Sequence, residues 1–452
     1  MSCSFQWYWH GTVSMPLLQG IVVVACLLKG MTAVEGQLIS HSMLHFIDKG
    51  TLHRYNLSDP DEYVWREPLA KTGPGSGRGE ARLPYTDVVH ENKHTKKTQS
   101  YRVYTVVYAT NITSKGFCTM AASAGGHGFQ LNVLGEDRQL QFEESGCNGR
   151  LWVVRDFVTR IMALCVEGEN PHRRHPSCDR TIVLYLDAYD VIFMGSPQKL
   201  IDKFLATQKN VLFGSEKGCC ATREGLSWKH AACDPLWPLP PLATATPFLN
   251  AGVFVGFVQP VAILLQECWV EQQEYTDYIG KTFGPVQSVH VRPNKDRNNG
   301  PWNPYLVGGD QALICHVFAH RRSAGTDEHT GQQHSAPVSE LIGMSLDYTS
   351  SIFLNVYDMQ IGRELHITER GRVKYTGPHT PVGTVEGQRV RAITPLFLHF
   401  NGAGKEKGKM FVVAAKMAWP DSNRSTSVSH TVLYSLAHSK YTPLDATCSW
   451  RM

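Results

Sequence analysis

The chain has 452 residues, of which 42% are hydrophobic and 19% are charged, an ordinary composition for a globular protein with a substantial core. Its length allows two or three average domains, or one large α/β domain that carries insertions. The net charge of +4 is small and the basic residues are scattered, which argues against a nucleic-acid-binding protein. The 12 cysteines include no Cys-x-x-Cys pair, so they indicate a set of secretory-pathway disulfides and not zinc or redox chemistry.

Residues 15–28 form an apolar run that is followed by Lys29. The run is shorter than the roughly 20 residues of a membrane-spanning helix, and its length suits a signal peptide or a short signal-anchor within residues 1–36. Because no basic residue precedes the run, a buried N-terminal element is the alternative. Three Asn-x-Ser/Thr sequons fit a chain in the lumen of the endoplasmic reticulum or Golgi, and they begin at Asn56, Asn111 and Asn423.

Residues 37–100 show no sustained hydrophobic period and predict a poorly ordered stem or linker. Regular structure is predicted from Tyr101, where β-branched and aliphatic residues indicate a central parallel strand that ends at Thr110. Residues 149–163 carry apolar side chains at helical spacing. Arg150 at the start of this predicted helix is either a solvated surface residue or a phosphate partner near a helix N-terminus.

The segment 182–186 predicts a buried strand that ends in Asp187 and Asp190, with Tyr189 between them. In an α/β sheet, ligands bind just beyond the carboxyl ends of the parallel strands. Two acids at such a position could give a divalent cation one or two oxygen ligands and leave the remaining positions to phosphate and water. The alternative is an ordinary turn with solvated aspartate caps.

Two long segments interrupt the predicted pattern, at residues 277–304 and 319–337. Loops of this length in a compact domain are either functional lids or disordered. The second segment holds three histidines whose spacing matches no closed metal site, so we expect disorder there. Between the two segments, Asp310 in the run GGDQALICHVF is expected to start a helix, where an aspartate also serves as an ordinary N-cap.

Seven motifs give the region from about Tyr101 to Lys405 a resemblance to a known family. They are VVYAT, LYLDAYDVIF followed by GSP, LFGSEKGC, FLNAGVFVGF, GGDQ, LDYTSSIFLN and LHFNGAGK, in the family's order. With these motifs the region resembles the glycosyltransferase domain of the multifunctional procollagen lysyl hydroxylases, whose fold is GT-A. The resemblance implies an α/β fold with one Rossmann-like nucleotide-sugar transferase domain at residues 101–410. The two long segments are then loop insertions, and residues 411–452 are a C-terminal tail.

The resemblance also implies a site for a UDP-sugar donor and Mn²⁺. Asp187, Asp190 and His399 would ligate the ion, which bridges the diphosphate of the donor. Tyr189 would lie against the uracil ring, and Arg150 stands where the family usually has a lysine. The donor-binding residues that the resemblance implies are Thr110, Arg150, Tyr189, Asn401, Gly402 and Lys405.

Asp310 matches the last residue of an acidic run that lies near the sugar and the acceptor in the family, and it is the implied catalytic residue. This sequence departs from the family there, because Gly308 and Gly309 replace the preceding acids. Catalysis or acceptor choice could therefore differ. The family's dioxygenase domain carries a His-x-Asp motif, which does not occur in this sequence, so we expect no lysyl hydroxylation.

Two hypotheses follow for the function. The first is a metal-dependent hexosyltransferase of the secretory pathway, which moves glucose or galactose from a UDP-sugar to a hydroxyl acceptor on a protein or glycan, hydroxylysine-linked or another. The second is a binding protein that keeps the GT-A fold but has weak or no transfer activity, as the change at Gly308 and Gly309 would allow. A phosphoryl-transfer or nucleotidyl enzyme is disfavoured, because the chain has no Gly-rich phosphate loop that ends in Lys-Ser/Thr.

Overall fold

A computed structural model describes a large part of the chain, all of it within one compact unit, His53–Met452. The described residues are 83–92, 95–136, 148–167, 177–216, 246–283, 304–319, 322–326, 333–357, 359, 361–362, 364–367, 373–375, 393–402, 404–416, 432–435, 438 and 440–448. The predicted N-terminal targeting segment lies outside them. Among the described residues, no helix combines the length and the apolar character that crossing a membrane requires.

The described part of the chain mixes helices and strands in alternation along the sequence. The helices are α1 Lys115–Gly126, α2 Asn148–Glu167, α3 Pro197–Ala206, α4 Val258–Phe283, α5 Pro304–Ala319, α6 Val338–Leu341, α7 Gly404–Lys416 and α8 Leu444–Thr447. The strands are β1 Thr86–Glu91, β2 Thr98–Tyr108, β3 Leu131–Leu134, β4 Thr181–Asp187, β5 Val191–Phe193, β6 Val211–Glu216, β7 Phe248–Phe257, β8 Arg322–Thr326, β9 Gln333–Pro337, β10 Met344–Asp347, β11 Phe353–Asn355, β12 Leu365–Ile367, β13 Val373–Tyr375, β14 Phe397–His399, β15 Val432–Ser435 and β16 Lys440–Pro443.

A mixed nine-stranded sheet forms the centre of the fold, in the order β10-β6-β7-β4-β2-β3-β15-β16, with β1 also paired to β2. Strands β3 and β4 run parallel to β2, whereas β7 is antiparallel to both β4 and β6. Strands β4 and β6 therefore point the same way, and their carboxyl ends lie at the same edge of the sheet. Every residue of β4 before Asp187 is buried, as expected for a strand covered on both faces.

A smaller three-stranded sheet has the order β11-β14-β5. Its strand β5 follows β4 directly along the chain, after the turn at the carboxyl end of β4. Strand β5 begins at Val191, directly after Asp190, and it pairs antiparallel with β14. In this register Val191 is opposite His399, and His399 is in turn opposite Asn355 of β11. The small sheet thus brings His399 next to the turn that contains both aspartates, although His399 is far away in the sequence.

Four phenylalanines pack between the two sheets. The ring centroid of Phe397 lies 5.1 Å from that of Phe193, 5.4 Å from Phe353 and 5.9 Å from Phe129. All four side chains are at most 2% exposed. Because buried aromatic side chains contribute a large share of the apolar surface removed from water, this cluster stabilises the position of the small sheet against α1 and β3.

The sequence located most of the elements around the site, with ends that shift by a few residues. The predicted strand at 182–186 is β4, and the helix predicted at 149–163 is the longer α2. The stem prediction is wrong at its C-terminal end. Strand β1 lies within the predicted stem and pairs along its whole length with β2, because alternate residues of β1 face the sheet.

Two further expectations need correction. Helix α5 begins at Pro304, so Asp310 lies inside the helix and does not start it, and Gly308 and Gly309 are helical. The segment 319–337 is not structureless where it is described, because β8 and β9 form a two-stranded antiparallel hairpin. Most of the segment 277–304 and residues 327–332 lie outside the described residues.

The C-terminal segment, predicted as a tail, adds two strands to one edge of the central sheet. Strand β15 pairs parallel with β3 and antiparallel with β16. A disulfide between Cys118 of α1 and Cys448, which follows α8, fixes this segment to the body of the domain. A second disulfide joins Cys165 to Cys178. The expectation of disulfides is therefore confirmed in the described part of the chain.

Candidate donor and metal site

Asp187, Asp190 and His399 converge at the carboxyl edge of the central sheet. Each side chain offers one ligand atom, and the three atoms lie within 4.8 Å of one another. His399 Nε2 is 3.4 Å from Asp187 Oδ2 and 3.5 Å from Asp190 Oδ1. The backbone N–H of Phe400 donates to the Asp190 carbonyl at 2.8 Å, which fixes the end of β14 against the turn. The structure thus favours a clustered site over two separate solvated caps.

His399 is held in one orientation by a side chain of the neighbouring strand. Its Nδ1 lies 2.7 Å from Asn355 Oδ1, and Asn355 Nδ2 donates to the Ser215 carbonyl at 2.8 Å. Because the Asn355 oxygen can only accept, Nδ1 carries the proton and Nε2 faces the two carboxylates. A hydrogen bond of this kind behind a metal-binding histidine is common in metalloproteins.

His399 Nε2 is buried and has no hydrogen-bond partner, which is an unusual situation for a polar atom in a protein interior. Burial lowers the pKa of the His399 ring, but the carboxylates of Asp187 and Asp190 outweigh burial and raise the pKa to about 9. A divalent cation between these groups would satisfy the nitrogen and balance the two negative charges. Two carboxylates and one imidazole are a donor set that Mn²⁺ accepts, so the residues fit such an ion.

Strand β7 passes so close behind this cluster that only glycine fits at position 252. A Cβ atom on Gly252 would lie 2.5 Å from Asp187 Oδ2 and 2.5 Å from His399 Cε1. Since real Cβ atoms do not approach other atoms this closely, a side chain here would displace two of the three candidate ligands. Close backbone approach to the site therefore explains Gly252, the first glycine of the motif FLNAGVFVGF.

Arg150 of α2 forms ion pairs on both sides of the site. Its Nη1 donates to Asp187 Oδ1 at 2.9 Å, and its Nη2 donates to Asp310 Oδ1 at 2.8 Å. Its Nε also donates to Asp310 Oδ2, so the pair with Asp310 is bidentate. Burial alone lowers the pKa of the guanidinium, but Asp187 and Asp310 raise it well above its usual value. Arg150 is thus a partner of two acids, not a solvated surface residue.

The loop after β2 is tied to the aspartate turn through Tyr189. The Tyr189 hydroxyl oxygen accepts from the backbone N–H groups of Thr110 and Asn111, at 2.8 and 2.9 Å. The side chain of Thr110 is exposed beside these bonds. The two donor-site residues implied by the resemblance, Thr110 and Tyr189, are therefore adjacent in space, and the tyrosine holds the loop that precedes α1.

The loop between β14 and α7 contains the remaining predicted donor residues. Asn401 Oδ1 accepts from the backbone N–H of Tyr357 at 3.2 Å, and Gly402 has a φ of 120°, which favours glycine. Lys405 is the second residue of α7, and its side chain lies outside the described part of the structure. The N-terminus of α7 follows His399 by five residues, and the first N–H groups of a helix have no partner within the helix.

Glu216 is a buried carboxylate that the sequence did not mark as a site residue. It ends β6 at the same edge as Asp187, and it accepts from the side-chain amides of Asn250, Gln311 and Asn401. Burial raises the pKa of Glu216 to about 7, against the opposing effect of these three amides. The residue stands in the motif LFGSEKGC, so its place at a strand end was the available signal.

Part of the chain is similar to a known protein family. Residues 97–279 match the family model described as the PLOD GT domain. This segment is similar to PLOD-type glycosyltransferase domains. The matched residues include Asp187, Asp190, Arg150 and the loop at Thr110, and the mixed α/β sheet agrees with the GT-A fold that the sequence implied.

Curated relatives match the same GT domain at low identity. The human "Multifunctional procollagen lysine hydroxylase and glycosyltransferase LH3" is 30% identical over 102 residues, which is 22% of this chain and 12% of that protein. "Procollagen-lysine,2-oxoglutarate 5-dioxygenase 1" of Gallus gallus is 24% identical over 204 residues, 45% of this chain and 24% of that protein. The chain thus spans a quarter or less of the length of these relatives.

A solved structure described as "crystal structure of a glycosyltransferase involved in the glycosylation of the major capsid of PBCV-1" also matches. It is 14% identical and covers 47% of this chain and 98% of its own, with a TM-score of 0.22.

Proposed function

We propose that the GT domain transfers a hexose, glucose or galactose, from a UDP-sugar to a hydroxyl acceptor in the presence of Mn²⁺. The observation that carries this proposal is the convergence of Asp187, Asp190 and His399 with an orphaned, buried Nε2. Glycosyl transfer is the general activity of the domain family whose model residues 97–279 match. The donor, the ion and the sugar are the specific parts of the proposal.

The two aspartates and His399 would hold the ion. When bound, Mn²⁺ would supply a Lewis acid that stabilises the negative charge of the diphosphate leaving group. Asn355 keeps Nε2 of His399 directed at the carboxylates, where an ion would replace its proton. Carboxylates alone would suit Mg²⁺ equally well, and the imidazole favours Mn²⁺ because Mn²⁺ accepts nitrogen ligands more readily.

The chain's own groups on either side would orient the donor. Tyr189 holds the backbone of Thr110 and Asn111, which supports a nucleotide contact at that loop. On the other side, the loop of Asn401 and Gly402 leads into the N-terminus of α7, where free N–H groups and the helix dipole favour an anion such as diphosphate. Lys405, in the first turn of that helix, would add a positive charge.

The test is hydrolysis and transfer with a set of UDP-sugars in the presence and absence of Mn²⁺. We expect slow release of UDP from UDP-glucose or UDP-galactose without an acceptor, and we expect the double variant Asp187→Ala/Asp190→Ala to lose it. Circular dichroism would verify that the variant is folded. A folded wild-type protein that turns over no UDP-sugar would overturn the proposal.

A second candidate function is a GT-A-fold binding protein with little or no transfer activity. Arg150 occupies both carboxylate oxygens of Asp310, and Gly308 and Gly309 leave no neighbouring acid to replace it. Calorimetric titration of UDP with Mn²⁺ separates the candidates, because binding without turnover supports this second one.

The acceptor and the compartment belong to the proposal as well. The relatives named for procollagen lysine make a hydroxylysine-linked acceptor the first to assay, followed by other protein or glycan hydroxyls. The two described disulfides are consistent with an oxidising compartment, and we propose the lumen of the endoplasmic reticulum or Golgi. Membrane anchoring through residues 1–36 is part of the same proposal.

A further inference from the structure

Glu216 is the meeting point of three side-chain amides that come from three different parts of the fold. Its Oε2 accepts from Asn250 Nδ2 of β7 at 3.1 Å and from Asn401 Nδ2 of the loop after β14 at 2.6 Å. Its Oε1 accepts from Gln311 Nε2 of α5 at 2.6 Å. Glu216 itself is only 7% exposed.

Each of these three partners is close to a candidate site residue, either along the chain or through a hydrogen bond. Asn401 follows His399 by two residues, and Gln311 follows Asp310 directly. Asn250 Oδ1 accepts from the backbone N–H of Gly252 at 3.0 Å, and Gly252 is the residue that packs against Asp187 and His399. The Glu216 carboxylate is therefore connected by hydrogen bonds to the loop of Asn401, to the helix of Asp310 and, through Asn250, to the strand that packs against the candidate metal ligands.

The two side-chain oxygens of Glu216 match this position chemically. Three amide N–H groups point at the residue, and a carboxylate has about four acceptor positions and no donor. A glutamine of the same shape would direct its own N–H₂ group at one of the three donors. Burying a carboxylate costs free energy unless hydrogen bonds compensate for the lost water, so its presence among these amides indicates a specific role.

We propose that Glu216 is a positioning residue for sugar transfer. It holds Asn401 on the donor side and Gln311 on the side of Asp310 at a fixed separation across the site. The proposal rests on the proposed hexosyl transfer, and it adds a residue that touches neither the ion nor the donor but determines where their contacts lie. Two consequences follow: Glu216→Gln should weaken donor binding and turnover together, and its effect should depend on Gln311.

The first experiment compares full-length wild type with Glu216→Gln, Glu216→Asp and the control Glu267→Gln. Glu267 is a glutamate of α4 that is buried to a similar degree, 4% exposed. We expect Glu216→Gln to lower kcat/KM for UDP-sugar hydrolysis by about 10- to 100-fold, as is typical of residues behind a metal site. We expect an intermediate value for Glu216→Asp, which keeps the acceptor-only group but is shorter, and wild-type kcat/KM for Glu267→Gln.

The second experiment asks whether Glu216 acts through Gln311. Gln311→Ala and the double variant with Glu216→Gln complete a cycle, and we expect the double variant to lose little more kcat/KM than the worse single variant. Additive losses would show that the two residues act independently, and they would overturn the proposed route. Wild-type kcat/KM and wild-type UDP affinity in Glu216→Gln would overturn the proposal as a whole.

A third measurement tests the positioning role of Glu216 without relying on turnover of a UDP-sugar. Hydrogen–deuterium exchange of peptides that cover residues 398–402 and 308–313 should increase in Glu216→Gln and remain unchanged in Glu267→Gln, whether or not the wild type turns over a UDP-sugar. A wild type without turnover, together with increased exchange, rejects the hexosyl-transfer proposal and retains Glu216 as the residue that positions both segments. Unchanged exchange rejects the positioning role.

Discussion

The orientation of His399 depends on a single residue, Asn355. Its carbonyl oxygen accepts from His399 Nδ1 at 2.7 Å, and its own amide group is anchored at the Ser215 carbonyl. We predict that Asn355→Ala lowers Mn²⁺ affinity by about 10- to 100-fold, because the ring loses the bond that keeps Nε2 directed at the two aspartates. Calorimetric titration of Mn²⁺ in the presence of UDP measures this loss.

Asn132 provides a matched control for that prediction. It is a fully buried asparagine of β3, and its amide group donates to the carbonyls of Pro84 and Thr105. Asn132→Ala should therefore lower stability and leave Mn²⁺ affinity unchanged. If both variants bind Mn²⁺ like the wild type, Asn355 has no role in orienting a ligand.

The titration of Glu216 gives a prediction for stability against pH. Burial raises its pKa to about 7 from 4.5, so the folded state binds a proton more readily than the unfolded chain between these values. Stability from this group is therefore present at low pH and falls as pH rises from about 4.5 to 7. We expect the Tm of the wild type, minus the Tm of Glu216→Gln, to decrease across this range and to level off above it.

Thermal unfolding at a series of pH values measures that difference. Glu340→Gln, at an exposed position of α6, accounts for the removal of one negative charge. A wild-type minus Glu216→Gln difference that stays constant between pH 4.5 and 7 would show that folding does not raise the pKa of Glu216.

At the scale of the elements, the small sheet β11-β14-β5 determines whether the site assembles. Its central residue Phe397 is fully buried among three other phenylalanines, two positions before His399. We predict that Phe397→Ala lowers the free energy of unfolding by about 3–5 kcal/mol. We also expect the folded variant to bind Mn²⁺ more weakly, because the cavity loosens the strand that carries His399.

Phe204→Ala separates the two effects. Phe204 of α3 is equally buried and packs against Phe257, which pairs with Ile182 at the end of β4 that is opposite to Asp187, so its removal should cost a similar free energy. Chemical denaturation measures both variants, and Mn²⁺ titration of the folded proteins should distinguish them. Equal Mn²⁺ affinities would show that packing of β14 does not reach the ligand.

The elements that the sequence predicted best are those with strong local patterns. Strand β4 is a continuous apolar run that ends in an acid, and the strand could be predicted from that run alone. The run by itself left two interpretations of Asp187 and Asp190 open, a metal site and an ordinary turn. Helix α5 was misplaced because Gly308 and Gly309 resemble a loop, although glycines are tolerated inside a helix that packs on its neighbours. The β8–β9 hairpin has polar residues on both strands, and so it carries no hydrophobic alternation to reveal it.

At the scale of the whole molecule, the limit of sequence reasoning is contact between distant residues. Asp187 and Asp190 are close in the chain, whereas His399 reaches them only through the register of β14 against β5. The family resemblance grouped His399 with the two aspartates, since no local pattern connects the two segments. Glu216 was not predicted as a site residue, because its partners Asn250, Gln311 and Asn401 come together only in the folded protein.

The stability of the C-terminal segment also depends on a contact between residues that are distant in the sequence. The disulfide Cys118–Cys448 spans 330 residues, whereas Cys165–Cys178 spans 13. A crosslink stabilises mainly by restricting the unfolded chain, more so for a longer loop, so removing either should cost about 2–5 kcal/mol. We predict that Cys118→Ser/Cys448→Ser loses more free energy of unfolding than Cys165→Ser/Cys178→Ser does.

Urea unfolding of the two double variants under non-reducing conditions measures this order. The double substitutions leave no unpaired thiol of the broken bridge to exchange with the remaining cysteines. The C-terminal bridge also fixes β15 and β16 at the edge of the central sheet, so its loss should expose the edge of β3 as well as lengthen the unfolded chain. A smaller loss for the 330-residue bridge than for the 13-residue bridge would mean that the C-terminal strands stay in place through packing alone.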